Sequence, residues 1–188
     1  CTIRFNDKIE VFHMFKIKVL FFCFSFFAIP FWANSQKRLK RAESFLGFHF
    51  DFHATAADKS LGSCFDTALL ANFLKRTRPD YIQIDSKGHP GYSSYPTSVG
   101  YSANSFVKDP MRIWRDVTNQ FNVPLYVHYS GLWDDKGIHE NPHWGRRNAK
   151  GIIDSTKAAY LGGYAEELMI PQLKEMIDTY NIDGAWVD

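Results

Sequence analysis

Side chains with acid–base or ligand chemistry gather at the ends of four short apolar runs in the 188-residue sequence. Each run is rich in aromatic and β-branched residues, the composition of a strand. Charged groups and imidazoles are costly to bury at a strand end unless they face a common polar cavity. We therefore expect these side chains to form one ligand site. Its candidate residues are His49, Asp51, His53, Asp85, Lys87, His89, His128, Tyr129, Trp133, Trp186 and Asp188.

Asp188 is the candidate catalytic residue of this group. It follows the apolar letters AWV, so its carboxylate would stand at the carboxyl end of a buried strand. Hydrolysis of a glycosidic bond uses two carboxyl groups, one as an acid and one as a nucleophile or base. Flat rings beside carboxylates suit the faces and hydroxyls of sugars, which predicts a carbohydrate ligand. The alternative is that the rings only pack the loops. The loop rings are Tyr92, Tyr95, Tyr101, Trp133 and Trp144.

The elements that must position these residues alternate between strand and helix. Strand patterns cover residues 45–53, 81–85, 124–130 and 184–188. Apolar stripes at helical spacing lie between them, and the first stripe ends before Pro79. The second begins with Asp109 as N-cap and Pro110 at the first helical position. Pro171 is expected to kink the third helix.

This order of elements predicts an α/β fold, the N-terminal half of a (β/α)8 TIM-type barrel. Alternating strands and amphipathic helices favour parallel strands joined by crossovers. The connections after the strands are long, at residues 86–108 and 131–158, and a barrel builds its active site from such connections. A dinucleotide-binding fold would need a glycine-rich turn after the first strand, and the sequence has none there. Since four βα units are half of eight, residues 45–188 are expected to be a truncated barrel. A complete domain of another α/β kind is the alternative.

The first 44 residues have the pattern of an export signal followed by a linker. Met14 opens a segment with two lysines, an apolar run and then small residues. We interpret residues 1–13 as upstream read-through, 14–35 as a signal peptide and 36–44 as a linker. This predicts a secreted or periplasmic protein without a stable membrane anchor. A retained anchor is the alternative, but the apolar run is short for a membrane span and contains Pro30.

Charge and cysteine content disfavour other classes of protein. From Ala42 onward the chain holds 14 basic and 18 acidic residues, a net charge of −4. Nucleic-acid binding needs a concentrated positive face, so no nucleic-acid partner is expected. Cys64 is the one cysteine outside the leader, and no internal disulfide is therefore expected after export.

The letters HFDFH allow a metal centre as an alternative site. His49, Asp51 and His53 at alternate positions would share one face of a strand, which suits a pair or triad of metal ligands. The sequence does not name the remaining ligands, so no metal and no cofactor is predicted. A metal-dependent hydrolase acting through this group stays open, as does a sugar-binding barrel without catalytic activity.

Residues 45–188 resemble the α-L-fucosidase family of retaining glycoside hydrolases. The similar segments are KGHPGY at 87–92, HYS at 128–130, WVD at 186–188 and the preceding QLKEMIDTYNIDGAW. The resemblance implies a barrel in which Asp188 is the nucleophile and His89 binds a sugar hydroxyl. One residue of the HFDFH segment would line the pocket.

The resemblance also bears on what the chain can do alone. In the family, the acid/base residue lies beyond the fourth strand, so it is expected outside this chain. The resemblance therefore implies an exported, retaining, α-L-fucosidase-like glycosidase of which this chain alone is inactive.

Overall fold

A computed structural model describes residues 38–153 and 161–188 of the chain. Its four strands are parallel, pair in chain order, and comprise β1 Gly47–Phe50, β2 Tyr81–Lys87, β3 Leu125–Tyr129 and β4 Gly184–Val187. The four predicted strands are confirmed, but β1 starts later than residue 45. The reason is that the amides of Phe45 and Leu46 bond to the Asp80 carboxylate and not to a neighbouring strand. The predicted signal peptide lies outside the described residues.

Two helices, α1 and α2, lie between the first three strands and begin at aspartate caps. α1 spans Thr67–Thr77, and the Asp66 carboxylate accepts hydrogen bonds from two backbone amides of its first turn. α2 spans Pro110–Gln120, with Asp109 as cap and proline at the first position, as predicted. These carboxylates satisfy amides that have no partner within the helix, which fixes where each helix starts.

The long connection after β3 contains helical structure that the sequence pattern does not predict. α3 spans Asp135–Glu140, and a 3-10 turn spans Pro142–Trp144. The Asp134 carboxylate caps α3 by accepting from the Gly137 amide at 2.6 Å. Trp144 is buried in a small apolar cluster, so this part of the connection is packed against the protein.

The third predicted helix changes geometry along its length. α4 spans Leu161–Tyr164, a π-helical stretch spans Ala165–Met169, and α5 spans Ile170–Tyr180. Pro171 has no N–H, and its ring crowds the preceding turn. The π-helical stretch lies in the five residues before α5, and the kink expected at this proline stays a prediction.

The sheet has an apolar face covered by helices and an opposite face that is polar. Side chains of α1, α2 and α5 join those of the strands in the main hydrophobic core. All three helices thus cover the same face, whereas a doubly wound sheet carries helices on both. Together with the strand order, this arrangement is consistent with part of a (β/α)8 barrel. The strand residues in the core are Ile82, Ile84, Leu125, Val127 and Tyr129.

Glu175 of α5 holds the long connection after β2. Its carboxylate accepts hydrogen bonds from the hydroxyls of Tyr95 at 3.0 Å and Thr97 at 2.5 Å. It also accepts from the Ser98 amide at 2.7 Å and the Ser98 hydroxyl at 2.6 Å. Burial alone would raise the pKa of Glu175, but these hydrogen bonds outweigh it and lower the pKa.

The segment before β1 contacts the opposite edge of the sheet, beside the start of β4. Arg38 Nη1 lies 2.9 Å from Asp183 Oδ1, and Arg115 Nη1 lies 2.8 Å from Asp183 Oδ2. A single 3-10 turn follows at Arg41–Glu43. Within residues 38–153 and 161–188, no helix is long and apolar enough to cross a membrane.

Candidate functional site

A β-bulge at Ser86 decides which strand-end residues meet. Asp85 pairs with His128, and Lys87 pairs with Tyr129, the next residue of β3. Ser86 is therefore an extra residue in β2 that has no partner of its own on β3. Its hydroxyl donates to the backbone oxygen of His128 at 2.6 Å. Without the bulge, Asp85 and Lys87 would share one face of the sheet. With it, Asp85 lies on the polar face and Lys87 turns toward the helices.

Asp85, His128 and Asp188 form a row across the polar face. His128 Nδ1 lies 2.7 Å from Asp85 Oδ1, and His128 Nε2 lies 3.3 Å from Asp188 Oδ1. The first contact is a well-formed hydrogen bond, whereas the second is an ion-pair contact that is too poorly aligned for one. The Asp85 side chain has 0% exposure, and that of Asp188 has 37%. Asp188 is therefore the most exposed member of the row.

The electrostatics of this row favour a protonated imidazole. The hydrogen bond to Asp85 raises the pKa of His128, burial opposes the rise, and Asp188 adds to it. Burial raises the pKa of Asp85, and the hydrogen bond with His128 opposes that rise. Asp85 Oδ2 is buried and has no hydrogen-bond partner among the described residues. The two carboxylates together stabilise a positive charge on His128.

Rings from the two edge strands and from the segment after β1 surround His128. Its ring centroid lies 5.1 Å from Trp186, 5.6 Å from His49 and 6.0 Å from His53. His53 Nε2 lies 3.1 Å from Asp51 Oδ1. A cavity of about 640 Å³ opens beside the β1 end of this group, which is within the size range of small-molecule sites. Candidate residues from each of the four strand ends thus meet at one place.

His89, Ser130 and Trp133 extend the group along the loops after β2 and β3. His89 Nδ1 lies 2.8 Å from Ser130 Oγ, and the Ser130 hydroxyl donates to the Trp133 backbone oxygen at 3.0 Å. Because a hydroxyl has one proton, Ser130 must accept from His89 Nδ1–H, which leaves Nε2 of a neutral His89 as an acceptor. The His89 ring lies 5.0 Å from that of Trp133. Ser130 is absent from the predicted residues, although its place directly after β3 is the signal that could have found it.

Lys87 and Tyr129, two other predicted site residues, point into the protein interior. Lys87 Nζ lies 3.0 Å from Asp134 Oδ2, and the Tyr129 hydroxyl donates to Gln172 Oε1 at 2.8 Å. Burial lowers the pKa of Lys87, and Asp134 opposes that change. The structure does not bring these two side chains into the group around His128.

The aromatic residues of the long loops divide into packing residues and site residues. Tyr95 and Trp144 are buried. The Tyr101 hydroxyl accepts from the side-chain amide of Asn141 at 2.9 Å. Trp133 and Trp186 remain exposed at 37% and 52% of their surface and lie beside the imidazoles. These two indoles are the flat surfaces available to a ligand at this group.

Four side chains of the group have donor atoms that could hold a metal ion. These atoms of Asp51, His53, Asp85 and His128 lie within 4.8 Å of one another. Tetrahedral zinc, with bonds of about 2.0–2.1 Å to nitrogen, needs donor atoms roughly 3.4 Å apart. The side chains instead form two carboxylate–imidazole pairs, at 2.7 Å and 3.1 Å. This geometry favours a hydrogen-bonded network. Among the described residues, His49 of the HFDFH pattern is not part of the four.

Comparison with solved structures identifies the fold. α-L-Fucosidase isoenzyme 2 from Paenibacillus thiaminolyticus has a TM-score of 0.68 and 19% identity, covering 77% of this chain and 23% of that one. The α-L-fucosidase AlfC from Lactobacillus casei in complex with α-L-fucose has a TM-score of 0.53 and 19% identity, covering 72% and 45%. An α-L-fucosidase from Vibrio sp. strain EJY3 has a TM-score of 0.53 and 20% identity, covering 71% and 23%.

These similarities concern the fold, since the identities are near 20%. No protein-family model and no curated protein matches the sequence. The chain spans less than half the length of each of the three solved structures. The resemblance to α-L-fucosidases predicted from the sequence is confirmed at the level of the fold.

Proposed function

We propose that the chain is part of an exported, retaining glycoside hydrolase of the α-L-fucosidase type, with Asp188 as the nucleophile. The observation that carries this proposal is the partly exposed Asp188 carboxylate, 3.3 Å from the buried His128 imidazole. The exposed indole of Trp186 lies beside the rings of His49 and His128, and such a flat ring suits the face of a sugar. The fold shared with α-L-fucosidases supports the same reaction class.

In the proposed reaction, Asp188 forms a bond to the anomeric carbon as the bond from that carbon to the leaving oxygen breaks. A second carboxylic acid gives its proton to the leaving oxygen. Water then attacks the anomeric carbon and releases the sugar and Asp188, after giving its proton to the second carboxylate. Asp85 cannot be that second group, because its side chain has 0% exposure. We propose an acid/base residue that follows Asp188 in the protein, and we expect residues 1–188 alone to be inactive.

The proposed ligand contacts follow from the chemistry of the exposed groups. Trp186 and Trp133 would stack on the sugar. His89 Nε2 would accept a hydrogen bond from a sugar hydroxyl, since its Nδ1–H is donated to Ser130. The AlfC structures contain fucosylated sugars and 4-nitrophenyl α-L-fucopyranoside, so an α-L-fucoside is the first substrate to test. Export through residues 14–35 is part of this proposal.

Hydrolysis of 4-nitrophenyl α-L-fucopyranoside by the intact protein tests the proposal. We expect release of nitrophenol with retention of configuration at the anomeric carbon. NMR of the sugar product measures that configuration. Asp188→Asn should abolish turnover and keep sugar binding, whereas the matched variant Asp116→Asn, at an exposed position of α2, should behave as the wild type. Undiminished turnover by Asp188→Asn would sink the assignment of the nucleophile. Sugar binding without turnover by the wild type would instead indicate a non-catalytic sugar-binding protein.

A further inference from the structure

We propose that Asp85 and His128 are positioning residues for the Asp188 carboxylate. In this arrangement, Asp85 fixes the His128 ring, and the positively charged ring holds Asp188 Oδ1 by an ion-pair contact at Nε2, which leaves Oδ2 for the ligand. The inference rests on the proposed role of Asp188 and deepens it. It assigns a function to two buried side chains that do not touch the substrate.

The strand register builds this row. Asp85 of β2 lies opposite His128 of β3, which lies opposite Trp186 of β4. Asp188 follows Trp186 by two residues, so its side chain lies on the same face of the sheet. Three neighbouring strands thus supply a carboxylate, an imidazole and a second carboxylate in spatial order. The contacts are 2.7 Å and 3.3 Å long.

Hydrogen-bonding capacity fixes the protonation state that the row requires. An ionised Asp85 carboxylate can only accept, so the His128 Nδ1 atom carries a proton. In a neutral ring, Nε2 would then present a lone pair to the Asp188 carboxylate, and the 3.3 Å contact would be repulsive. A proton on Nε2 makes the contact attractive, as an ion pair between the imidazolium and the carboxylate. The raised pKa of His128 agrees with that geometry.

Burial shows which member of the row is held by the others. The side chains of Asp85 and His128 have 0% and 5% exposure, whereas that of Asp188 has 37%. Breaking a buried ion pair leaves an uncompensated charge, so the inner pair is the fixed part. The outer carboxylate can rotate, and its contact with His128 restrains that rotation. Reacting atoms misplaced by about 1 Å can cost roughly 10²-fold in rate.

The other titratable groups around His128 do not replace this contact. From β1, His49 presents its ring edge-on to His128. From the segment after β1, His53 stacks on His128 and pairs with Asp51 at 3.1 Å. β2 contributes the Asp85 carboxylate, and the residue that follows β4 contributes the Asp188 carboxylate. Among the described residues, the Nε2 atom of His128 therefore forms its ionic contact with Asp188.

Two measurements on the intact protein test the inference, the first without relying on activity. Selective ¹⁵N-histidine NMR should show both ring nitrogens of His128 protonated at pH 6 and a pKa above the ordinary value of about 6.5. Asp85→Asn and Asp188→Asn should each lower that pKa. Loss of an opposite charge at this distance corresponds to about one unit or more. A His128 ring with unprotonated Nε2 at pH 6, or a pKa unmoved in both variants, would overturn the inference.

The second measurement is the kinetics of His128→Gln and Asp85→Asn. We expect kcat to fall about 10²-fold with KM changed less than about threefold, since the row positions the nucleophile and does not bind the sugar. In Asp85→Asn, the basic limb of the pH profile should move to lower pH. The matched variant is His139→Gln, whose side chain is 84% exposed on α3 and which should behave as the wild type.

The two proposals fail in different ways. If the wild type hydrolyses no glycoside, the proposed function fails, while the NMR titration still reports whether His128 is held between two carboxylates. If hydrolysis occurs and depends on Asp188 but kcat is unchanged in both His128→Gln and Asp85→Asn, the positioning role fails alone. Because Asp85→Asn preserves the size of the side chain, a folding defect in His128→Gln does not prevent the test.

Discussion

Two buried ion pairs stand two residues apart on β2 and have opposite surroundings. Asp85–His128 lies on the polar face of the sheet and leads to the exposed Asp188 carboxylate. Lys87–Asp134 lies between the sheet and the helices, with side-chain exposures of 1% and 0%. The bulge at Ser86 separates them. Because β2 contains one extra residue, the Asp85 side chain faces the candidate site and the Lys87 side chain faces the core.

The two pairs also differ in how completely their hydrogen bonds are satisfied. Asp134 accepts from Lys87 Nζ at 3.0 Å, from the Tyr164 hydroxyl at 2.9 Å and from the Gly137 amide at 2.6 Å. Asp85, in contrast, has one oxygen without a partner in the described part of the chain. A fully satisfied buried pair indicates a structural role, whereas an incomplete one is poor evidence for a stabilising role.

The largest stability effect is expected when the core pair is broken. Lys87→Met leaves the Asp134 charge buried without its cation, so the free energy of unfolding should fall by about 3–5 kcal/mol. Urea denaturation of the intact protein measures this loss. The double variant Lys87→Met, Asp134→Asn should recover part of it, because no lone charge remains and the side-chain oxygen can still accept from the Gly137 amide. A loss below about 1 kcal/mol in the single variant would contradict the comparison.

The site pair should contribute less and in a pH-dependent way. His128→Gln removes a charged hydrogen bond, which is worth about 1.5–3 kcal/mol. Because the folded protein raises the pKa of His128, this advantage of the wild type is present below about pH 6.5 and lost as pH rises through the folded value. Denaturation of both proteins at pH 6 and pH 9 measures the difference. A difference equal at both values would show that His128 is not charged in the fold.

The bulge itself is expected to make a smaller contribution. Ser86→Ala removes the buried hydrogen bond to the His128 backbone oxygen, which should cost about 1 kcal/mol. Ser63→Ala at an exposed position is the control and should cost less than about 0.5 kcal/mol. Urea denaturation compares the two. An equal effect of both variants would mean that this hydroxyl does not fasten the bulge.

The smallest effect is expected at an ion pair outside both regions. Arg38 and Asp183 pair at 2.9 Å near the surface, and Asp183 keeps Arg115 as a second partner. Arg38→Ala should therefore reduce the free energy of unfolding by less than about 1 kcal/mol. The reduction should shrink at high salt, where exposed charges are screened. A salt-independent loss above about 2 kcal/mol would place this pair with the buried ones.

The main elements of the fold are predictable from the sequence because they depend on local patterns. The Asp109–Pro110 cap and the apolar runs before Asp85 and Asp188 carry their own signals. The convergence of His49, His128 and Asp188 is also predictable, since parallel strands end at one edge of a sheet.

The division between site and core is not predictable in this way. Lys87 and Tyr129 share the strand ends with Asp85 and His128. Alternation along β3 turns Tyr129 away from the face of His128, but only the pairing across the bulge shows that Lys87 faces away from Asp85. Asp134 follows Trp133 in a segment without periodic pattern, so nothing local indicates that its carboxylate is buried. Tertiary contacts decide these positions.

The four hydrogen bonds to Glu175 have a mechanical consequence. They cross-link the connection after β2 to the helix that leads into β4, and so join two successive βα units. Residues 95–98 cannot swing outward as a hinged lid unless all four bonds break. A rearrangement of the loops around a ligand would therefore leave residues 95–98 in place.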